Sequence, residues 1–307
     1  MKIVITGASG LIGSTLIHHL TSAEHEVLQL VRREPATGSH ARWDPDAGVL
    51  DPSLLEGAHA VINLSGAGIG DKRWSDERKR LVLESRTRTT SLLAGTIAAM
   101  DQGPAVLINA SAVGFYGDRG DEELTEDSGP GPETDFLTHV VREWERATTP
   151  AEEAGTRVVH LRTGIVLDTG GGLLGSVLGL PFGLLLAFKL GVGGRVGSGT
   201  QWWSWVAIED EVRAIEHLLA SHLSGPVNVT APNPVTNAEF TKVLGAVLRR
   251  PTVIPVPRFA LRGLLGGELA EALAFTSARV LPNRLVADGF EFTYPDLQPA
   301  LERLLRK

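Results

Sequence analysis

The 307-residue chain contains no cysteine. This absence excludes disulfide bonds, thiolate catalysis and cysteine-based metal sites, and it fits a reducing compartment, so we predict a cytoplasmic protein. The nine histidines are scattered without the spacing of a metal-binding motif. We therefore predict no metal site.

Long hydrophobic runs are scarce as well. The one candidate for a membrane span covers residues 173–188, contains Pro181 and ends at Lys189. It is shorter than the roughly 20 residues that a spanning helix needs, so we interpret it as a helix and loop that cover a cleft. We also expect no signal peptide before the first strand. The formal net charge of −7 argues against nucleic acid or an anionic membrane as the main partner.

Apolar runs typical of buried parallel strands alternate with helical patterns through the first half of the chain. The strand-like runs are residues 2–5, 25–31, 60–65, 105–112 and 157–167, and the helical patterns are residues 11–20, 78–100 and 136–155. This alternation predicts an α/β fold, a Rossmann-type doubly wound parallel sheet with a smaller C-terminal substrate lobe. We assign residues 1–167 to the nucleotide-binding domain and residues 168–307 to the lobe, with elements near residues 200–230 returning to the sheet.

A glycine-rich turn, TGASGLIG, joins the first strand to the first helix and contains Gly7, Gly10 and Gly13. Gly7 permits a tight turn, Gly10 lets the backbone approach an anion, and Gly13 lets the helix pack close to the strand. The N–H groups at the start of that helix then face the pyrophosphate of a dinucleotide. The turn predicts a dinucleotide site.

The second strand ends at Val31 and is followed by Arg32 and Arg33. An acidic residue at this point would bind the ribose 2′-hydroxyl of NAD, whereas two arginines suit the 2′-phosphate of NADP. We therefore predict NADP as the cofactor. The alternative is a solvated pair of arginines, one of them neutralised by Glu34.

Two further segments follow strands at the same predicted edge of the sheet. Residues 63–68, NLSGAG, have small side chains that leave room for the adenosine and ribose of a cofactor, although a plain turn is an equally good interpretation. Arg86 lies within the next helix, and its position alone indicates a solvated face.

The segment NASAVGFYG, residues 109–117, supplies the candidate catalytic residues Ser111 and Tyr116. It follows the fourth strand, beside the expected position of the nicotinamide. A serine there can hydrogen-bond a substrate carbonyl, and a tyrosine can present its phenol. The alternative for Tyr116 is a side chain packed over the glycine turn.

The order of these motifs, with LRTGIVL, GSGTQWWSWVAIED and NVTAPNPVTNAEF after them, resembles the atypical extended short-chain dehydrogenase/reductases. These are NAD-dependent epimerase/dehydratase-like proteins with a C-terminal domain of unknown function, and the resemblance covers essentially the whole chain. It implies that the glycine turn, the strand ends and Arg86 line an NADP site. The predicted cofactor-binding residues are Gly7, Ser9, Gly10, Leu11, Ile12, Gly13, Val31, Arg32, Leu64, Ser65, Gly66, Arg86 and Val166.

The chain departs from the wider superfamily in the helix after the fourth strand. Active members place Tyr-x-x-x-Lys there, with the lysine lowering the pKa of the phenol, but DFLTHVVREWERA contains neither residue type. Depending on register, the pair is replaced by Phe136 and Val140, by Asp135 and His139, or by Leu137 and Val141. The family's catalytic serine is also ambiguous, because either Ala112 or Ser111 falls at its position.

Two functions remain open at this point. The leading prediction is an NADP(H)-binding oxidoreductase or epimerase-like enzyme that holds a small carbonyl or sugar-like substrate against Ser111 and Tyr116. The alternative is a catalytically silent protein that senses or buffers NADP(H). A cluster formed by Arg195, Gln201 and residues 202–205 suits either a substrate or packing of the lobe. The sequence does not determine the oligomeric state, and a homodimer is one option.

Overall fold

The computed structural model describes residues 1–175 and 183–305. Its strands are β1 (Lys2–Thr6), β2 (Glu26–Val31), β3 (His40–Arg42), β4 (Ala60–Asn63), β5 (Val106–Ala112), β6 (Glu123–Leu124), β7 (Arg157–Thr163), β8 (Ile165–Leu167), β9 (Trp202–Trp203), β10 (Trp205–Ala207), β11 (Gly225–Val229), β12 (Val235–Thr236) and β13 (Arg279–Val280). Its α-helices are α1 (Leu11–Ser22), α2 (Asp76–Ala98), α3 (Phe136–Arg146), α4 (Thr149–Glu153), α5 (Gly172–Gly175), α6 (Leu184–Lys189), α7 (Ile208–Ala220), α8 (Asn237–Leu248), α9 (Arg258–Leu265), α10 (Gly267–Ala270), α11 (Asn283–Ala287) and α12 (Leu297–Leu305).

The described residues contain one large sheet with the strand order β11-β7-β5-β4-β1-β2-β3. Every pair of neighbouring strands in it is parallel. The strand order reverses beside β1, and because the strands are parallel their carboxyl ends share the edge at which ligands bind in such sheets. The predicted α/β, Rossmann-type doubly wound fold is confirmed.

Helices cover both faces of this sheet, and alternate residues of β1 show why. Ile3 and Ile5 pack in the core that contains residues of α1 and α7, whereas Val4 packs on the opposite side with residues of α2. A strand that is buried on both faces has no polar side to its pattern. For this reason the central strands can be read from the sequence as continuous apolar runs.

The predicted strand 157–167 is two strands in the structure. β7 ends at Thr163 within the main sheet, and β8 begins at Ile165 and pairs with β10 outside it. The break falls at Gly164, where a Cβ atom would lie 2.6 Å from the carbonyl oxygen of Ser204. The short edge strand β3 was not predicted, because its three partly exposed residues form no apolar run.

Part of the apolar run 173–188 lies outside the described residues, namely 176–182. The helices α5 and α6 flank that part. Across residues 1–175 and 183–305, no helix is long and apolar enough to cross a membrane.

A buried ion pair fastens α3 to the sheet. Glu145 of α3 accepts two hydrogen bonds from Arg162 of β7, each with an N–O distance of 2.9 Å. The side chains are 11% and 4% exposed. Burial opposes ionisation of Glu145, but the hydrogen bonds and charge of Arg162 outweigh it and hold the pKa of this carboxyl below its usual value.

Removing one partner leaves the other charge buried without compensation. We expect Glu145→Ala to lower the free energy of unfolding by about 3–5 kcal/mol, measured by chemical denaturation. The matched control is Glu143→Ala on the same helix, whose partner Arg146 is 63% exposed. That exposed pair is worth roughly 0.5 kcal/mol. Equal losses in the two variants would contradict a structural role for the buried pair.

Candidate functional site

Backbone contacts at the carboxyl edge of the sheet hold the glycine turn in place. Gly7 has a φ of +71°, a left-handed conformation that favours glycine. A Cβ atom at Gly7 would lie 2.4 Å from the carbonyl oxygen of Leu64, and one at Gly13 would lie 2.4 Å from the carbonyl oxygen of Gly7. Strand β1, helix α1 and the loop after β4 therefore meet at backbone contact distance.

The start of α1 is accessible to a ligand. Gly10 is the N-cap and provides no side-chain acceptor, and Ser9 and Gly10 are both exposed. The first N–H groups of a helix, here those of Leu11, Ile12 and Gly13, have no acceptor within the helix. Together with the positive end of the helix dipole, they suit a phosphate group.

Arg32 lies exposed directly after β2, beside this turn. The proposed neutralising partner, Glu34, instead pairs with Arg42. Within the described ranges, no salt bridge involves Arg32 or Arg33. Their charges are therefore available to an anion.

The loop after β4 packs on a buried polar cluster. Asn63 accepts a hydrogen bond from Thr6 and donates to Asn109, which ties the ends of β1 and β4 to the middle of β5. The backbone N–H of Ser65 donates to Asn63 as well. Leu64 and Ser65 are half-buried and Gly66 is exposed, so these predicted contacts lie along the edge that also holds Gly7.

Arg86 is buried, contrary to its appearance in the sequence as a face residue of a helix. Its guanidinium donates to the carbonyl oxygens of Ala67 and Val82, and its Cζ lies 4.9 Å from the centre of the Trp144 ring. Burial, followed by the nearby charge of Arg78, lowers the pKa of Arg86 to about 10. Its Nε has no hydrogen-bond partner among the described residues.

Val166 lies in β8, next to a glycine segment that is not among the predicted cofactor-binding residues. A Cβ atom at Gly172 would lie 3.2 Å from the carbonyl oxygen of Val166 and 3.5 Å from the side chain of Leu11. The segment therefore contacts the first residue of α1. In the sequence, the three consecutive glycines 170–172 are the feature that could have indicated this close approach.

A cavity of about 210 Å³ opens between the ends of β5 and β7, helix α3 and the segment 272–278. Its walls are mainly apolar, with a few polar side chains among them. Its lining residues are Ile69, Arg86, Ala112, Val113, Gly114, Gly117, Asp135, Leu137, Val140, Val141, Trp144, Thr163, Gly164, Ile165, Trp202, Trp203, Ser204, Ala272, Leu273, Thr276 and Ala278.

The two predicted catalytic residues lie away from this lining. Ser111 donates to Glu145 across 2.6 Å, and the neighbouring Ala112 lines the cavity in its place. Tyr116 is fully buried, and its hydroxyl donates to Asn228 and accepts from Arg162. Burial raises the pKa of Tyr116, against the opposing effect of Arg162. Both hydroxyls thus belong to the polar network around the Glu145 ion pair.

The helix that carries Tyr-x-x-x-Lys in active superfamily members presents apolar side chains here. Leu137 and Val141, one of the three registers considered, both line the cavity. Asp135 also reaches the lining, where its carboxylate accepts the N–H of Leu137 at the start of α3. His139 is not among the lining residues, so the structure does not bring Asp135 and His139 together in the cavity.

A sequence model of the NAD dependent epimerase/dehydratase family matches residues 3–230. The chain belongs to this family. A second model, for a domain of unknown function named DUF1731, matches residues 256–304. Both findings confirm the resemblance seen in the sequence motifs.

Relatives in this epimerase family span the full chain. "Epimerase family protein Mb2239" of Mycobacterium bovis is 43% identical over 300 residues, which cover 97% of this chain and 96% of the relative. The structure of human epimerase family protein SDR39U1 with NADPH has a TM-score of 0.89 and 33% identity, and the match covers 100% and 99% of the two chains. A nucleoside-diphosphate sugar epimerase from Corynebacterium glutamicum has a TM-score of 0.79 and 39% identity, covering 99% of this chain and 58% of its own.

The structure also clarifies the aromatic cluster. Trp203 and Trp205 are buried in a core that includes Phe240 and residues of α12, so packing accounts for most of their surface. Trp202 is half-buried and lines the cavity. Gln201 is buried and donates to backbone carbonyls, which indicates a structural role.

One ionisable residue beside the cavity, Glu211 of α7, is not among the site residues predicted from the sequence. It lies on the buried face of α7 with Ile208 and Ile215, and a charged residue within that apolar pattern was the available signal. Its carboxyl oxygen Oε1 lies 2.9 Å from the hydroxyl of Thr163. Burial raises the pKa of Glu211 to about 8, although the hydrogen bond from Thr163 opposes the shift.

This carboxyl makes stability depend on pH. The folded chain keeps the proton that an unfolded chain, with the ordinary value of 4.5, loses. The contribution of Glu211 to stability is therefore full below pH 4.5 and is lost as the pH rises from 4.5 through 8. We expect Glu211→Gln, which stays neutral, to recover on the order of 5 kcal/mol of this decline.

Chemical denaturation of both proteins from below pH 4.5 to above pH 8 provides the measurement. The difference in unfolding free energy between Glu211→Gln and the original chain should grow steadily over that interval. A constant difference would mean that Glu211 is ionised in the folded protein.

Proposed function

We propose that this chain binds NADP(H) along the carboxyl edge of the sheet and uses it to act on a small carbonyl or sugar-like substrate. The observation that carries the proposal is the unpaired, exposed Arg32 beside the open start of α1. A cation there suits the 2′-phosphate that distinguishes NADP from NAD. The binding of NADPH by human SDR39U1, a full-length structural match, supports the same cofactor.

The residues present fit such a cofactor. Leu11, Ile12 and Gly13 would hold the pyrophosphate through their N–H groups, and the N-cap Gly10 places no side chain beside them. Val31 and Arg32 would hold the ribose phosphate of the adenosine half, and the small residues 64–66 would leave room beside it.

The mainly apolar cavity suits the nicotinamide ring and a small substrate. Ala112, Thr163 and Ile165 line it near the ends of β5 and β7, and Val166 follows directly. When bound, the nicotinamide supplies or accepts a hydride. The guanidinium of Arg86, which lines the cavity, would hold a polar group of the cofactor or substrate.

The substrate class follows from the same lining and from the family. An apolar wall with a few polar groups suits a carbonyl compound bearing hydroxyls, and a 39% identical relative is a nucleoside-diphosphate sugar epimerase. We assign Ser111 and Tyr116 to positioning rather than to substrate contact, because their hydroxyls are engaged in the Glu145 network. A silent sensor of NADP(H) is not favoured by these comparisons.

Replacing Arg32 tests the choice of cofactor. We expect Arg32→Ala to weaken NADPH binding by about tenfold, since a charge-assisted contact to the 2′-phosphate is lost. NADH lacks that phosphate, so its weaker binding should not change. Titrating the fluorescence of each reduced cofactor measures both affinities.

The control is Arg303→Ala, which removes an exposed arginine on α12. It should leave both affinities unchanged. Tighter binding of NADH than of NADPH by the original chain, or an equal loss for both cofactors in Arg32→Ala, would contradict the proposal.

Turnover is tested separately by following the absorbance of bound NADPH during a screen of carbonyl compounds, including keto sugars. We expect oxidation with hydroxylated carbonyl substrates. Tight binding without oxidation across the screen would overturn the enzymatic part of the proposal and leave the binding part intact.

A further inference from the structure

One buried acidic side chain has no role in the proposed cofactor and substrate site. Glu211 is fully buried in the first turn of α7, and its Oε2 has no hydrogen-bond partner among the described residues. Its Oε1 makes one contact, at 2.9 Å, with the hydroxyl of Thr163. An orphaned buried carboxyl oxygen costs stability, so its presence in an apolar helix face calls for a functional explanation.

Thr163 connects this carboxyl to the cavity. It is the last residue of β7, it is half-buried, and it lines the cavity beside Gly164. A threonine hydroxyl donates one hydrogen bond and accepts others at the same time. The Thr163 hydroxyl donates to Oε1 when Glu211 is a carboxylate. When Glu211 is protonated the direction reverses, so Thr163 accepts from the carboxyl and can donate its own proton to a molecule in the cavity.

The other hydroxyl and carboxyl groups of the lining are engaged in holding the wall together. Ser204 donates to the carbonyl oxygen of Ala278, and Thr276 donates to that of Glu271. Asp135 caps α3. Among the described lining residues there is no tyrosine, lysine or histidine, so the residue types that usually exchange protons in such enzymes are missing.

We propose that Glu211 exchanges a proton with the substrate through the hydroxyl of Thr163, in place of the missing Tyr-x-x-x-Lys pair. The inference rests on the proposed function, because NADPH supplies the hydride. When a carbonyl carbon accepts that hydride, its oxygen takes the proton of the Thr163 hydroxyl. Thr163 takes the proton of Glu211, which becomes a carboxylate. Oxidation of the alcohol returns both protons by the reverse steps.

The surroundings of Glu211 suit a group that holds a proton near neutral pH. Burial raises its pKa to about 8, and no charged side chain contributes to the shift. Of the other acidic side chains on α7, Asp210 pairs with Arg213 and Glu216 with His19 of α1, whereas Oε2 of Glu209 has no hydrogen-bond partner among the described residues. The carboxyl of Glu211 is therefore neutral at pH 7 and can still be ionised at modest cost.

The test uses the chain without cofactor, labelled with ¹³C-glutamate. Infrared difference spectra against Glu211→Gln identify the C=O stretch of the protonated carboxyl, and dilution into D₂O then gives the rate at which its proton exchanges. We expect Thr163→Val, which removes the hydroxyl but keeps the shape, to slow this exchange at least about tenfold, the effect of losing one hydrogen-bonded step. Thr163→Ser should restore the original rate.

Each outcome of these exchange measurements either supports or contradicts the proposed proton path. A carboxylate band from Glu211 at pH 7, equal exchange rates in Thr163→Val and the original chain, or slow exchange in Thr163→Ser would overturn the proposal. If Thr163→Val does not fold, Thr163→Ala removes the same hydroxyl. Because the measurement needs no cofactor, failure of NADPH binding and failure of the proton path are distinguished.

Discussion

Backbone contact at Gly7 and Gly13 is the constraint on which the rest of the site depends. A Cβ atom at either position would lie 2.4 Å from a carbonyl oxygen, of Leu64 in one case and of Gly7 in the other. The glycines therefore let β1, α1 and the loop after β4 approach closely. This approach places the start of α1 and the loop 64–66 beside the end of β2, the arrangement in which Rossmann-type sheets bind a dinucleotide.

The second organising interaction is the buried pair of Glu145 and Arg162. This pair fastens α3 to β7. Glu145 also accepts a hydrogen bond from the hydroxyl of Ser111, and Arg162 donates one to the hydroxyl of Tyr116. The face of α3 that reaches the cavity is then apolar, with Leu137 and Val141. The residues of α3 that line the cavity include no tyrosine, lysine or histidine, and we therefore place proton exchange on the β7 side of the cavity.

The fold could be predicted from the sequence because its signals are local: apolar runs for strands buried on both faces, and a glycine turn before a helix. The sequence patterns are weaker guides where contacts between residues distant in sequence determine the structure. The break at Gly164 is set by the approach of Ser204, and burial of Arg86 is set by Trp144 and by the loop at Ala67. Ser111 and Tyr116 are at the expected strand end, but the direction of their side chains depends on Glu145 and Asn228, which are distant in sequence.

We propose above all that the carboxyl edge of the sheet binds NADP(H), with the nicotinamide in the cavity. The most direct measurement is a crystal structure of the chain with NADPH. We expect the pyrophosphate at the N–H groups of Leu11–Gly13, the 2′-phosphate against Arg32 and the nicotinamide between Ala112 and Thr163. A cofactor bound away from the glycine turn, or a 2′-phosphate that does not contact Arg32, would contradict it.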